Sequence, residues 1–76
     1  EPSYVKIDMS IVRGVHNDKR KLRLVELLCH FASATGARVV AEGVEVEGEA
    51  TVLQDVGVSL MQGYLFGRPS NELRAA

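Results

Sequence analysis

Residues 36–43 of this 76-residue chain, GARVVAEG, place a short apolar run between two glycines. The run is too short for a helix and is typical of a strand buried in a parallel sheet. A helical pattern precedes it from Lys19 to Thr35, and a shorter one follows it over residues 48–56. Gly36 favours the left-handed conformation that commonly ends a helix, so the strand is predicted to start directly after the first helix.

Two further strand patterns complete the arrangement. Residues 4–8 alternate apolar and polar side chains, with Val5 and Ile7 on one face, and residues 59–62 form a third short run. The order is therefore β-α-β-α-β, which is typical of an α/β fold with parallel strands and right-handed crossovers. Residues 9–15 are predicted to be a connecting turn, and the polar tail after Pro69 is predicted to be a frayed end.

The first helix carries an apolar stripe at helical spacing, which is predicted to cover one face of the sheet. The stripe consists of Leu24, Leu27, Leu28, Phe31 and Ala34. Tyr4, Val40 and Leu60 would then lie on the other, uncovered face, and the sheet would have open edges. The chain is therefore predicted to be part of a larger domain. When isolated, the chain is predicted not to remain a compact monomer.

The composition excludes several classes of protein. The formal net charge of −1 gives no basic excess for binding a nucleic acid polymer. No apolar run approaches the about 18 residues that a membrane-spanning helix needs. The single cysteine cannot form an internal disulfide, which suits a reducing compartment, and we expect a cytoplasmic protein.

Three polar residues lie near the carboxyl ends of the three predicted strands: Lys6, Glu42 and Gln62. Ligands bind at this end of parallel α/β sheets, and strand alternation would place the three side chains on one face. A glutamate can bind a hard cation, a lysine can neutralise phosphate charge or polarise a water, and an amide can orient a ligand. The alternative is that each residue is a solvent-exposed strand end.

Three short motifs then point to one family. Residues 4–8 (YVKID), 41–45 (AEGVE) and 62–69 (QGYLFGRP) appear in this order. Together they resemble the C-terminal third of an EAL-type cyclic-di-GMP phosphodiesterase domain. The resemblance implies that residues 1–76 are a partial EAL domain, a β-α-β-α-β fragment of a TIM-like (β/α)₈ barrel with parallel strands.

The resemblance also implies a reaction. EAL domains hydrolyse cyclic-di-GMP to pGpG with two divalent cations, Mg²⁺ or Mn²⁺, and the motif matches assign roles to residues of this chain. Lys6 would contact the catalytic water, Glu42 would belong to the metal and water site, and Gln62 would complete the site wall. Asp8 would support the edge of the site, and Glu45 would help to arrange the neighbouring loop.

The family segments that carry Glu-Ala-Leu and a pair of aspartates are absent, and residues 49–51 (EAT) are a chance similarity on a helix. Because those segments supply most of the metal ligands, the isolated chain is expected to bind no metal and to be inactive, whereas the complete parent would be an enzyme. The alternative is a non-catalytic, EAL-derived interaction or cyclic-di-GMP-binding module. In either case, the chain would pair with itself or with the missing N-terminal part of the barrel. The upstream sequence would discriminate between the enzyme and the non-catalytic module.

Overall fold

The computed structural model describes residues 3–63 and 72–74. The described part consists of a four-stranded sheet and three α-helices, with one 3₁₀ turn at Val15–Asn17. The elements are, in chain order, β1 (Tyr4–Ile7), α1 (Met9–Val12), α2 (Lys19–Thr35), β2 (Arg38–Ala41), α3 (Glu47–Asp55), β3 (Leu60–Gln62) and β4 (Glu72–Arg74).

The sheet has the order β1-β2-β3-β4. Strands β1, β2 and β3 are parallel, with Lys6 opposite Val40 and Val40 opposite Leu60. This confirms the predicted α/β fold with three parallel strands. The prediction of a frayed tail is wrong for residues 72–74, because these residues form β4, which pairs antiparallel with β3.

The ends of the long helix α2 follow from two residues. The carboxylate of Asp18 accepts hydrogen bonds from the N–H groups of Arg20 and Lys21, at 3.0 and 3.2 Å, which satisfies donors that a helix start leaves unpaired. Gly36 takes the left-handed conformation, with φ at 76°, and its N–H bonds back to the last turn. The helix therefore begins and ends where the sequence predicts.

The predicted connecting turn over residues 9–15 contains the one-turn helix α1, so that prediction is wrong in part. Asp8 caps this helix, because its carboxylate accepts from the N–H of Ser10 at 2.9 Å. Gly14 then has a positive φ of 75° and starts the 3₁₀ turn. The chain between β1 and α2 is thus a tightly wound connection.

The core lies between one face of the sheet and the helices α2 and α3. The residues that α2 buries are Val25, Cys29 and Ala32. The predicted apolar stripe is wrong for Leu24, Leu27 and Phe31, which are 41%, 60% and 59% exposed, and for Ala34, which is also exposed. With 3.6 residues per turn, the first three of these side chains lie roughly 100–160° around the helix axis from Val25, on its flank. Leu28 is half-buried and packs against the core as predicted.

No helix in the described ranges, 3–63 and 72–74, has the length and apolar character that crossing a bilayer requires.

Candidate functional site

The sheet face that α2 and α3 leave uncovered carries the polar residues that the sequence singled out. The prediction of an exposed apolar face is wrong for Val40, which lies on this face and is 6% exposed. Since side chains alternate along a strand, Lys6, Glu42 and Gln62 share the face opposite the buried Ile7 and Ala41. This face forms an open concavity with a volume of about 260 Å³. Its lining residues are Tyr4, Lys6, Val40, Leu60 and Gln62. The structure therefore brings the three predicted site residues to one end of one face.

Lys6 and Glu42 form a loose ion pair. The Nζ atom of Lys6 lies 4.0 Å from Oε2 of Glu42, which is too long for a hydrogen bond. The Lys6 side chain is 72% exposed and that of Glu42 is 35% exposed, so water screens the pair and it stabilises the fold little. Both charged groups are accessible to a ligand on this face.

Two glycines pack the loops at this end of the sheet. At Gly43, a Cβ would lie 2.5 Å from the Cβ of Met9, so the loop after β2 rests directly on the start of α1. At Gly63, a Cβ would collide with the backbone of Val44. The N–H of Val44 also donates to the carbonyl oxygen of Gln62, at 2.9 Å. These contacts fix the loop after β2 between its two neighbours.

The two predicted supporting residues hold the ends of loops. Asp8 caps α1, and hydrogen bonding to Ser10 holds the pKa of this carboxyl below its ordinary value. Glu45 forms an ion pair with Arg13, whose Nη2 lies 2.9 Å from Oε2. This pair joins the loop after β2 to the connection between β1 and α2.

Sequence reasoning missed Glu49, which is 3% exposed. Its Oε1 accepts from the N–H groups of Glu45 and Val46, at 2.8 and 3.3 Å, and its Oε2 accepts from the N–H of Gly14, at 2.9 Å. Burial raises the pKa of this carboxyl, but the backbone N–H donors and nearby His16 lower it, and the net shift is downward.

A sequence signal for this role existed. Glu49 is the third residue of α3, and a carboxylate at that position commonly bonds back to the N–H of the residue before the helix. Val46 occupies that preceding position and has no side-chain acceptor to complete the reciprocal half of a capping box. Of Val46 and Glu49, only Glu49 therefore has a side chain that can accept a hydrogen bond.

The described residues alone do not fit a divalent cation. Glu42 offers one carboxylate beside the ammonium of Lys6, whereas a hard cation takes about six oxygen ligands. Across residues 3–63 and 72–74, no three His, Cys, Asp or Glu side chains come together as a possible metal site. Glu42 can therefore contribute to a metal site only if other chain segments supply most of the ligands.

The third motif is described only in part. Gln62 and Gly63 lie at the end of β3, whereas residues 64–69 of the predicted motif lie outside the described residues. The positions of Lys6, Glu42 and Gln62 are thus established, and their catalytic roles stay predictions.

Comparison with known proteins gives a consistent result at the level of sequence. Residues 1–69 match the EAL domain family. The chain is 34% identical over 70 residues to the cyclic di-GMP phosphodiesterase RocR of Pseudomonas aeruginosa, covering 92% of this chain and 18% of the relative. It is 37% identical over 65 residues to the cyclic di-GMP phosphodiesterase PdeF of Escherichia coli, covering 86% of this chain and 9% of that protein. The chain therefore spans less than a fifth of these relatives.

Comparison of structures agrees. BlrP1 of Klebsiella pneumoniae, solved with FMN and cyclic diGMP and without metal ions, has a TM-score of 0.84 and 40% identity. The match covers 91% of this chain and 18% of BlrP1. The same protein was solved with cyclic diGMP in manganese and calcium complexes. From its motifs, its fold and these similarities, the chain belongs to the EAL domain family.

Proposed function

We propose that residues 1–76 form the C-terminal third of an EAL domain and supply one wall of a site that hydrolyses cyclic-di-GMP to pGpG. The observation that carries the proposal is the placement of Lys6, Glu42 and Gln62 at the carboxyl ends of three adjacent parallel strands, on one accessible face. Relatives named cyclic di-GMP phosphodiesterases share this segment. We place the protein in the cytoplasm, in keeping with its single cysteine.

Each residue has a distinct task in this proposal. The Lys6 ammonium holds the attacking water and offsets the charge of the phosphodiester, since its N–H groups are not committed to Glu42 at 4.0 Å. The Glu42 carboxylate, one-third exposed beside it, contributes one oxygen donor to the metal and water site. Gln62 closes the site wall from β3. Asp8 and Glu45 keep the surrounding loops in place.

The metal chemistry requires more than this chain. A bound divalent cation, which we propose to be Mg²⁺ or Mn²⁺, lowers the pKa of its water and stabilises developing phosphate charge. Since Glu42 brings a single carboxylate, the remaining ligands would come from other segments of a complete domain. We therefore propose that the 76-residue chain alone binds no catalytic metal and does not hydrolyse cyclic-di-GMP.

The test compares the 76-residue chain with the full-length protein. Each is incubated with Mn²⁺ or Mg²⁺ and cyclic-di-GMP, and pGpG is measured by chromatography. We expect no product from the chain alone and turnover by the full-length protein that Lys6→Ala or Glu42→Ala abolishes. Lys19→Ala, an exposed lysine at the start of α2, is the matched control and retains activity. Turnover by the chain alone, or a Glu42→Ala variant of the full-length protein with wild-type rates, contradicts the proposal.

The uncovered surfaces indicate how the segment is completed. Leu27 and Phe31 are more than half exposed on the flank of α2, and β1 is hydrogen-bonded to a strand on one side only within the described sheet. Exposed apolar patches and open strand edges favour association. We propose that the rest of a barrel covers both surfaces in a complete domain, and that the isolated chain self-associates instead.

Sedimentation of the 76-residue chain tests this part of the proposal. We expect dimers or larger species, and we expect Leu27→Glu to weaken the association because it places a charge on the apolar flank. Lys19→Glu, at the exposed start of the same helix, is the control. A folded wild-type monomer at tens of micromolar, a range typical of weak association, would contradict it.

The exposed flank of α2 also favours a second candidate function, a non-catalytic EAL-derived interaction or cyclic-di-GMP-binding module. This candidate predicts that the full-length protein binds cyclic-di-GMP or a partner without forming pGpG. The turnover experiment separates the two candidates.

A further inference from the structure

We infer that Glu49 is a positioning residue for Glu42, because its buried carboxylate fixes the loop that carries Glu42; this inference rests on the proposed function. Glu49 does not line the concave face on which Lys6 and Gln62 lie. It acts instead through the backbone of residues 42–46, the loop between β2 and α3.

Contacts at both ends hold this loop. Gly43 packs on Met9, and the N–H of Val44 bonds to the end of β3. The far end of the loop, at Glu45 and Val46, has its two N–H groups bonded to Oε1 of Glu49. Glu49 thus holds the segment between Val44 and the first turn of α3, three residues beyond Glu42.

Glu49 also bonds to a segment outside this loop. Its other oxygen, Oε2, accepts from the N–H of Gly14, a residue 35 positions earlier in the chain. Gly14 lies in the connection that leads from β1, the strand of Lys6, to α2. One carboxylate therefore joins the loop after the Glu42 strand to the connection after the Lys6 strand, and it sets the spacing between the two.

The same two segments are also joined by a second, weaker link. Arg13 and Glu45 join the same two segments, but their side chains are 54% and 45% exposed, so water and salt weaken the pair. The Glu49 carboxylate is buried, where hydrogen bonds to a charged acceptor are stronger. Glu49 is therefore the stronger of the two links.

Two substitutions at Glu49 remove different parts of the link. Glu49→Ala removes both acceptor oxygens. Glu49→Gln keeps one acceptor oxygen and replaces the other with an NH₂ donor, which cannot accept from Gly14. Because two N–H groups face the Oε1 position and one faces the Oε2 position, the amide oxygen should take the Oε1 position. The glutamine variant should therefore hold the loop at Glu45 and Val46 while losing the tie to Gly14.

The experiment measures kcat and KM of the full-length protein for cyclic-di-GMP, well below the melting temperature of every variant. We expect Glu49→Ala to lower kcat about tenfold or more, since small displacements of catalytic groups cost this much, with KM close to wild type. The kcat of Glu49→Gln should lie between those of the wild type and Glu49→Ala. Val25→Ala, a truncation in the buried face of α2, is the control for lost stability and should keep the wild-type kcat.

Amide hydrogen exchange gives a readout that does not depend on activity. We expect Glu49→Ala to lose protection at Gly14, Glu45 and Val46, and Glu49→Gln to lose it at Gly14 alone. Wild-type exchange at these amides in Glu49→Ala, or a kcat loss no larger than that of Val25→Ala at equal stability, overturns the inference. A Glu42→Gln variant with wild-type turnover overturns the proposed function, whereas an inactive Glu42→Gln with a fully active Glu49→Ala overturns only the inference about Glu49.

Discussion

The two faces of the sheet are built from the same strands and have opposite properties. The face beneath α2 and α3 buries Ile7, Val39, Ala41 and Met61, none of which is more than 2% exposed. The other face presents Tyr4 at 49% exposure and the Lys6 side chain at 72%. Neighbouring residues of β1 therefore differ in role, since Ile7 packs in the core and Lys6 is exposed, although Val40 on the face of Lys6 is also buried.

Substitutions on the two faces should therefore have different effects. A change on the covered face removes packed atoms, so it should lower stability and leave the chemistry of the folded protein intact. A change on the uncovered face removes a charged or polar group that packs against little, so it should lower activity and leave stability intact.

The largest expected effect lies on the covered face. Leu53 is fully buried in α3, and Leu53→Ala should lower the free energy of unfolding by about 2–5 kcal/mol. Urea unfolding of the full-length protein measures this change. Gln54→Ala, the exposed neighbour on the same helix, is the control and should change stability by less than about 0.5 kcal/mol. Equal losses for the two variants would remove the basis of the comparison.

The next effect lies on the uncovered face. Lys6→Met retains the apolar stem and removes the ammonium. Under the proposed function, kcat of the full-length protein for cyclic-di-GMP should therefore fall about 100-fold, as for other lost transition-state donors. The melting temperature should stay at the wild-type value because the side chain is mostly exposed. Steady-state kinetics and a thermal scan on the same sample test both parts. A stability loss that accounts for the lost rate would mean that Lys6 is structural.

A third effect lies where the two regions meet, at the end of β3. Gly63 has φ at 151° and no room for a Cβ against Val44, so Gly63→Ala should cost about 1–3 kcal/mol through backbone strain and displacement of the loop. Gly36 also has a positive φ but faces open space, so Gly36→Ala is the matched control and should cost less. Chemical denaturation ranks the two variants, and the reverse order would contradict the proposed contact.

The smallest effect is a pH dependence of stability. The pKa of Glu49 is lower in the folded chain than its ordinary value of 4.5, so the unfolded chain takes up the proton first as the pH falls. The stabilisation is complete above pH 4.5 and is lost as the pH falls through the folded pKa. The free energy of unfolding, measured at intervals from pH 6 to pH 3, should therefore fall more steeply for the wild type than for Glu49→Gln. The same pH dependence of stability in both proteins would contradict the downward shift of the Glu49 pKa.

Local patterns predicted the parts of the fold that depend on local chemistry. Alternation in residues 4–8 predicted the face of Lys6, and Gly36 marked the end of α2. The buried face of α2 was predicted only in part, because Leu24, Leu27 and Phe31 share the helical spacing of Leu28 but lie outside the core. The sheet instead receives the smaller Val25, Cys29 and Ala32, which allow the helix to lie close to it.

The candidate site shows the same limit. Strand ends and motifs predicted Lys6, Glu42 and Gln62, because their placement follows from strand register alone. The link from Glu49 to Gly14 spans 35 residues and depends on how two loops meet, which no local pattern contains. Strand β4 was missed for a related reason, since its pairing with β3 depends on the path of the chain between them.

The thiol of Cys29 gives the packed face a chemical reporter. It lies on the buried side of α2, where a Cβ at Gly57 would be 3.6 Å from the Cβ of Cys29. Burial raises the pKa of this thiol, so little of the reactive thiolate forms near neutral pH. Because the chain contains one cysteine, its labelling rate with a thiol reagent measures how often α2 separates from the turn after α3.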